Sequence, residues 1–170
     1  MNDIDKRDIF SEVYEELADS LYRHCFFRLS NKETAEDVVS ETFMKFWREL
    51  HKGTEIEYPK AWIYRSAHNR IIDHYRKKKS SSLDAKMEED GFDPHNEHHH
   101  LEIEEKAEIT LVMNRINDMD DSDRDVLLLR YVDDLPMDVI AEIVGSTTNA
   151  VTVRIHRAIG KLKDQIVNVK

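Results

Sequence analysis

Apolar residues recur every three or four positions through the first half of the chain, which is the period of an α-helix with one buried face. The pattern predicts a long first helix that starts near Ile9 and a second helix from about Thr34 to Leu50. A loop at 51–59 separates the second helix from a third, at about 60–79. We expect the three helices to share a core that contains Phe10, Val13, Tyr14, Leu17, Leu21, Cys25 and Phe26, then Val39, Phe43, Phe46, Trp47 and Leu50, and finally Ile63, Ala67, Ile71 and Tyr75.

The polar faces of the second and third helices differ in charge. The second helix carries both signs, at Glu36, Asp37, Ser40, Glu41, Lys45 and Arg48. Between 60 and 79 the third helix has seven Lys/Arg against one acid, and opposite its apolar side lie Arg65, Asn69, Asp73 and Arg76. Trp62, Tyr64 and Tyr75 lie among these cations, a mixture typical of surfaces that hold single-stranded nucleic acid. A position in the core is the alternative for Trp62.

Near the C-terminus, two helical patterns meet at a short turn. A short helix is predicted at 136–144, a turn at 145–146 and a longer helix at 147–166. Pro136 can open the short helix because the first helical position needs no backbone hydrogen bond. The apolar positions are Ile140, Ala141 and Val144 in the short helix, and Val151, Ile155, Ala158 and Leu162 in the longer one. This arrangement predicts a helix-turn-helix, in which Thr147 or Thr148 caps the second helix.

The outward side chains of this second helix are candidates for contact with DNA bases, because the early residues of such a helix enter the major groove. They are Thr148, Asn149, Thr152, Val153, His156 and Arg157. An ordinary helical hairpin could contain the same turn. However, five Lys/Arg and one acid follow residue 149, in a chain whose formal net charge is -10. A local positive patch on an acidic chain favours phosphate contact.

Composition favours a helical protein. The 170 residues include only 4 Gly and 3 Pro, too few turn residues for an all-β fold, and 35% of the residues are charged. No segment has the length of a membrane span, and the N-terminal residues lack the apolar core of a signal peptide, so we expect a cytoplasmic protein. The single cysteine, Cys25, lies in an apolar stripe and is expected in the core.

The charge is unevenly divided, and the division suggests domain boundaries. Residues 1–79 contain 15 Lys/Arg and 15 Asp/Glu, residues 80–106 contain 2 and 9, and residues 107–170 contain 8 and 11. We therefore predict two small helical domains, 1–79 and 107–170, joined by an acidic linker at 80–106. A metal site within the linker is a competing hypothesis, formed by His95, His98, His99 and His100 with Glu97 and Glu102. Consecutive histidines cannot all face one ion, so no metal site is assigned.

Three residue strings resemble bacterial RNA polymerase sigma factors of the extracytoplasmic-function class. Residues 36–47 resemble region 2.2 of this class, residues 59–76 resemble regions 2.3 and 2.4, and residues 135–158 resemble region 4.2. The resemblance covers nearly the whole chain. It implies an all-α protein with a region 2 helical bundle, a flexible linker and a region 4 helix-turn-helix.

The resemblance also implies partners. It implies a non-catalytic subunit without a cofactor that binds core RNA polymerase, through a coiled coil of the largest subunit and through the flap, and directs it to promoter DNA. Asp37 and Glu41 become candidates for the coiled-coil contact. The expected regulator is an anti-sigma factor, and no membrane insertion is expected. The linker resembles the segment that follows the RNA exit path.

Contacts to two promoter elements follow from the same resemblance. Region 2 opens the minus-ten element and captures a flipped base, with Asn69 and the loop 51–58 as the matching pocket. The remaining minus-ten candidates are Arg65, Arg70, Asp73, Arg76 and Lys77, with Lys78 and Lys79 as further phosphate contacts. Region 4 reads the minus-thirty-five element through the six outward residues at 148–157. This chain departs from the usual pattern at Ser40, Asn149 and Thr152-Val153, which bears on the promoter sequence.

One alternative of a different class remains. A helix-turn-helix regulator could bind DNA without programming polymerase, but it would have no need for the first domain. An enzyme is disfavoured because the chain shows neither a nucleophile paired with a base nor a phosphate-binding glycine loop.

Overall fold

The computed structural model describes residues 3–81 and 111–167, with side chains at 5–77 and 111–166. These residues form two groups of α-helices, here called the first unit (residues 3–81) and the second unit (residues 111–167), and the described ranges contain no β-strand. The predicted linker at 80–106, including its histidines, lies outside the described residues except at its first two positions. Over the two described ranges, no helix is long and apolar enough to span a membrane.

The first unit consists of three helices, α1 (Asp3–Leu29), α2 (Lys32–Lys52) and α3 (Pro59–Ser81). The α1–α2 turn is tight because Asn31 caps α2, accepting a 2.8 Å hydrogen bond from the backbone N–H of Thr34. Gly53 ends α2 with a φ of 79°, a left-handed conformation that suits glycine. All three helices extend beyond their predicted limits, so the loop between α2 and α3 is shorter than the predicted 51–59.

The core of the first unit lies between the three helices, since each packs against the other two. Its buried hydrophobic residues are Val13, Leu17, Leu21 and Cys25 from α1, Ala35, Val38, Phe43, Phe46 and Leu50 from α2, and Ala61, Ile63, Tyr64, Ala67 and Ile71 from α3. Six residues of the predicted core are not fully buried. Tyr14 is 47% exposed, and five others are half-buried, namely Phe10, Phe26, Val39, Trp47 and Tyr75. Val38 is buried where Val39 was expected.

Two polar residues in the C-terminal half of α1 are buried, although the sequence pattern did not single them out. His24 is fully buried, and its ring lies edge-on against Tyr64 with centroids 5.5 Å apart. One turn later, the buried guanidinium of Arg28 lies 5.5 Å from the ring centre of Tyr75, whose hydroxyl donates a hydrogen bond to the carbonyl of Arg28. These contacts fix the position of α3 on α1.

The second unit begins in the described residues with a helix that covers 111–117, here called α4. It continues with α5 (Asp121–Tyr131), α6 (Met137–Ile143) and α7 (Thr148–Val167). The helix α7 packs on α5 through an apolar stripe that includes Val151, Ile155 and Ala158, all buried. Leu162, the fourth residue of the predicted stripe, is half-buried. The side chain of Arg124 joins α5 to α4 by donating a 3.0 Å hydrogen bond to the carbonyl of Asn117.

The helices α6 and α7 form the predicted helix-turn-helix, with small shifts. Pro136 lies just before α6 rather than at its first position, and its carbonyl accepts the first hydrogen bond of the helix, from Ile140. Ile143 is buried where Val144 was expected, and Val144 is half-buried because the helix ends before it. Gly145 adopts a φ of 64° in the turn. Left-handed backbone at this position explains why a glycine is present.

Thr147, and not Thr148, supplies the side-chain cap of α7. Its hydroxyl oxygen accepts a 3.2 Å hydrogen bond from the backbone N–H of Ala150. Changing Thr147 to alanine should therefore lower the free energy of unfolding of the second unit by about 1 kcal/mol.

Urea unfolding of the full chain measures this loss. Both tryptophans lie in the first unit, so their fluorescence should be unchanged while the circular dichroism transition of the second unit moves to lower urea. Thr148→Ala is the matched control and should leave both transitions in place. Equal shifts for the two variants would contradict the assignment of the cap.

Candidate nucleic-acid interface

The outer face of α3 consists of side chains directed away from the core of the first unit. These are Arg65, Asn69, Asp73 and Arg76, all exposed. Their exposure agrees with the sequence pattern, since they lie opposite the buried Ile63, Ala67 and Ile71. Arg76 and Asp73 are 3.8 Å apart, a spacing that leaves both side chains largely hydrated. This face therefore carries one amide and two guanidinium groups.

The aromatic residues of α3 are not positioned to stack on bases as a set, which corrects the expectation from sequence. Tyr64 is 0% exposed and belongs to the core, and the hydroxyl of Tyr75 is bonded to the backbone of α1. Trp62 is half-buried, with the ammonium of Lys45 5.5 Å from its ring centre. The three rings alternate with cations in sequence, but two of them serve helix packing.

A cleft between α2 and α3 brings together residues that the sequence assigned to different partners. It is lined by Thr34, Asp37, Val38, Glu41, Arg70, Asp73, His74 and Lys77. Within the cleft, the guanidinium of Arg70 forms an ion pair with the carboxylate of Glu41. Glu41 is therefore engaged inside the unit, whereas the side chain of Asp37 is exposed on α2. The two candidate polymerase contacts thus have different surroundings.

The loop after α2 is held by one carboxylate. Glu49 accepts a 2.7 Å hydrogen bond from Lys52 and a 2.9 Å hydrogen bond from the hydroxyl of Thr54. These bonds, that of Lys52 first, hold the pKa of the Glu49 carboxyl below its usual value. A lowered carboxyl pKa stabilises the fold above the ordinary pKa of glutamate, and this stabilisation is lost as the pH falls through the lowered value.

The cavity beneath this loop is apolar and does not include Asn69. It is lined by Ile9, Phe46, Leu50, Gly53, Thr54, Glu55, Ile56 and Pro59. Pro59 and Asn69 are ten residues apart on α3, which corresponds to a rise of about 15 Å. This separation explains why Asn69 does not line the cavity, and the pocket expected between the loop and Asn69 stays a prediction.

The outer face of α7 exposes five of the six candidate side chains. Thr148, Asn149, His156 and Arg157 are exposed, and Val153 is 41% exposed. Thr152 is half-buried, and its hydroxyl donates a 2.8 Å hydrogen bond to the carbonyl of Thr148. Its methyl group is therefore the part left for an external contact. Methyl groups at 152 and 153 suit contact with a thymine methyl.

One basic residue of α7 is engaged within the second unit, a feature the sequence did not reveal. The ammonium of Lys161 lies 2.6 Å from a carboxylate oxygen of Asp123 and 3.5 Å from one of Asp120. By charge alone, Lys161 belongs to the basic patch that follows residue 149. Its partners on α5 are 38 and 41 residues away, so no local pattern could identify them.

An apolar groove on the first unit was also missed by the helical pattern. It has a volume of about 370 Å³ and is lined by Phe10, Tyr14, Val39, Ser40, Phe43, Met44 and Trp47. Met44 is 50% exposed there. Five residues expected in the core line this groove, and of these only Phe43 is buried; the others are Phe10, Tyr14, Val39 and Trp47. Within the two described ranges, no cluster of three or more His, Cys, Asp or Glu could hold a metal ion.

Comparison with known proteins matches both units. Residues 13–81 match the family model for Sigma-70 region 2, and residues 109–162 match that for Sigma-70, region 4. The ECF RNA polymerase sigma factor SigW of Bacillus subtilis is 28% identical over 173 residues, covering 94% of this chain and 90% of SigW. The ECF RNA polymerase sigma factor SigD of Mycobacterium tuberculosis is 28% identical over 169 residues, covering 95% and 78%.

Two solved structures share the fold. The sigma factor RpoE of Bartonella quintana, in complex with the anti-sigma factor NepR, matches with a TM-score of 0.75 and 20% identity, covering 92% of this chain and 96% of RpoE. CnrH, in complex with the cytosolic domain of CnrY, matches with a TM-score of 0.68 and 20% identity, covering 96% of this chain and 91% of CnrH. The sequence relatives and the fold thus agree on one class of protein.

Proposed function

Because the chain belongs to the extracytoplasmic-function class of bacterial RNA polymerase sigma factors, we propose that its two helical units contact different promoter elements while the first unit also binds core polymerase. The protein is an alternative sigma factor that directs transcription initiation. The observation that carries the proposal is the presence of two matched units, each with a polar helix face turned away from its core. The proposed boundaries are 1–79 and 107–170, with a linker at 80–106.

Core polymerase is proposed to bind the polar side of α2. Asp37 and Glu41 lie one turn apart on this helix, and both are exposed. Asp37 is the stronger candidate, because the carboxylate of Glu41 is already paired with Arg70. The partner surface is the coiled coil of the largest polymerase subunit. The flap of the polymerase is the proposed partner of the second unit.

The minus-ten element is proposed to bind along the outer face of α3. Asn69 can donate and accept hydrogen bonds, so it can read the edge of an unpaired base. Arg65 and Arg76 lie about one and two turns from Asn69 and can hold the phosphates on either side. Lys77 and Arg70 extend this basic strip into the α2/α3 cleft. The loop at 51–58 is proposed to wall the pocket for the unpaired base together with Asn69.

The minus-thirty-five element is proposed to bind as duplex DNA to the outer face of α7. Asn149, Val153 and Arg157 are four residues apart and lie along one side of the helix, which suits insertion into a major groove. Thr148, Thr152 and His156 flank this line. Arg157 is the one side chain in the set that can make a bidentate contact to guanine.

Arg157→Ala should reduce the preference of the holoenzyme for its minus-thirty-five element by about 1–3 kcal/mol, since a bidentate base contact is worth that much. The measurement is initiation from promoters with the matched or a scrambled element. Lys163→Ala removes one exposed cation from another side of α7 and is the charge-matched control. Equal losses on the matched and the scrambled element for Arg157→Ala would make Arg157 a phosphate contact instead.

The remaining proposals concern regulation and location. The structural neighbours from Bartonella quintana and the CnrH structure are complexes with NepR and CnrY, and NepR is an anti-sigma factor. We propose that an anti-sigma factor also regulates this chain. We further propose a cytoplasmic, non-catalytic protein that uses no cofactor and does not insert into membranes.

The second candidate function is a helix-turn-helix regulator that does not programme polymerase. Co-elution of the purified full chain with core RNA polymerase distinguishes the two functions. A sigma factor should co-elute in a one-to-one complex without DNA. A chain that binds duplex DNA but elutes separately from core polymerase would support the regulator.

A further inference from the structure

Lys161 lies on the side of α7 that faces DNA in the proposed function, yet its charge is directed to another helix. It is four residues after Arg157 and eight after Val153, a spacing that places all three near one side of the helix. Its ammonium contacts Asp123 at 2.6 Å and Asp120 at 3.5 Å, both at the start of α5. The side chain of Asp123 is 11% exposed and that of Lys161 is 55% exposed.

The position of Asp123 favours a persistent ion pair. Carboxylates in the first turn of a helix are stabilised by the helix dipole and by unpaired backbone N–H groups, and Asp123 lies in the first turn of α5. The same contacts, the hydrogen bond to Asp123 first, raise the pKa of Lys161 above its usual value. If Lys161 turned to a phosphate, the nearly buried carboxylate of Asp123 would lose its cation, which is costly.

Apolar packing holds α7 against α5, and the ion pair adds a directional contact. The stripe of Val151, Ile155 and Ala158 supplies non-directional burial against α5. A charged hydrogen bond is directional. The bond from Lys161 to Asp123 holds the C-terminal half of α7, beyond the residues proposed to enter the groove. Eight residues of helix span about 12 Å, so a tilt of roughly 5° at Lys161 displaces Val153 by about 1 Å. Base contacts are sensitive to displacements of that size.

We propose that Lys161 is a positioning residue that orients α7 on α5 through Asp123, with Asp120 as a secondary partner, and that it is not a phosphate contact. The inference rests on the proposed role of α7 in reading the minus-thirty-five element. It assigns Asp123, a residue of α5 outside the DNA face, a role in promoter specificity. The basic patch after residue 149 accordingly contributes one fewer cation to DNA than its sequence suggests.

The two roles predict opposite effects of Asp123→Asn. If Lys161 is a positioning residue, loss of the carboxylate should reduce initiation from the matched minus-thirty-five element several-fold and leave a scrambled element unchanged. If Lys161 is a phosphate contact restrained by Asp123, the same change frees a cation, and initiation should rise on both elements. Holoenzyme formed from core polymerase and the full chain is assayed on the two promoters over a series of salt concentrations.

Three further variants complete the test. Lys161→Gln should reproduce the loss of preference without changing the salt dependence on the scrambled element, whereas loss of a phosphate contact lowers the salt slope by about one. Lys161→Arg retains the pair and should retain the preference. Lys163→Gln, an exposed lysine two residues away, should leave the preference unchanged. Loss of preference in Lys163→Gln as large as in Lys161→Gln would overturn the assignment.

Circular dichroism identifies a variant that fails to fold. If Asp123→Asn unfolds the second unit, Lys161→Gln decides the question alone through its salt slope. Wild-type holoenzyme that ignores the minus-thirty-five element would refute the proposed function of α7. Wild-type preference that Lys161→Gln leaves intact would refute only the positioning role.

Discussion

Changing Asp37 to arginine is expected to weaken binding of core RNA polymerase by several kcal/mol. Asp37 is exposed on the polar side of α2, and its side chain points away from the core formed by Val38 and Phe46. If it meets a cation on the polymerase coiled coil, charge reversal replaces attraction by repulsion, and like charges brought together in an interface cost energies of this size. Binding of the full chain to core polymerase, measured without DNA, reports the loss.

A neighbouring acid provides the control for Asp37. Glu36 is also exposed and lies on α2, where it forms a loose ion pair at 3.8 Å with Lys32. Glu36→Arg makes the same charge change one position away, about 100° around the helix. It should bind core polymerase within about a factor of three of wild type, and both variants should keep their helix content. Equal binding by Asp37→Arg and wild type would exclude Asp37 from the interface.

Changing Asn69 to alanine is expected to slow promoter opening more than tenfold. Asn69 lies on the exposed face of α3, and alanine is the better helix former, so the fold should be retained. Unstacking a base costs a few kcal/mol, and contacts to the captured base must offset that cost. Removing the amide should therefore reduce the population of open promoter. Permanganate reactivity of unpaired thymines measures it.

A template with a pre-opened bubble separates capture of the base from strand separation. With Asn69→Ala the bubble should recover part of the lost activity, because melting is bypassed while the base contact is still absent. Lys60→Ala, another exposed position on α3, should open the duplex promoter nearly as well as wild type. Wild-type opening by Asn69→Ala would make Asn69 a solvated helix position without a role in base reading.

The helices and their polar faces could be predicted from the sequence because both depend on local spacing. The exposure of Arg65, Asn69 and Asp73 follows from the buried positions four residues apart on the opposite side of α3. The cap at Thr147 and the turn at Gly145 follow from local backbone chemistry. Each of these features involves residues within one or two turns of one another.

Other features depend on contacts between distant segments, and the sequence pattern misjudged them. Val38 and Val39 are equally apolar neighbours, and only the position of α1 and α3 decides which of the two is buried. The same holds for Tyr64, whose place in the core depends on His24 of α1. Paired charges present a related problem. Arg70 and Lys161 are cations in any charge count, but each has an acidic partner on another helix of its own unit.

As a sigma factor, this chain should programme core RNA polymerase to start transcription at specific promoters. Run-off transcription with purified core polymerase, genomic DNA fragments and the full chain, followed by mapping of the start sites, measures this activity. We expect discrete transcripts that require the chain and whose start sites share two upstream elements at a constant separation. Absence of chain-dependent transcripts from a folded protein that binds duplex DNA would instead identify a regulator that does not programme polymerase.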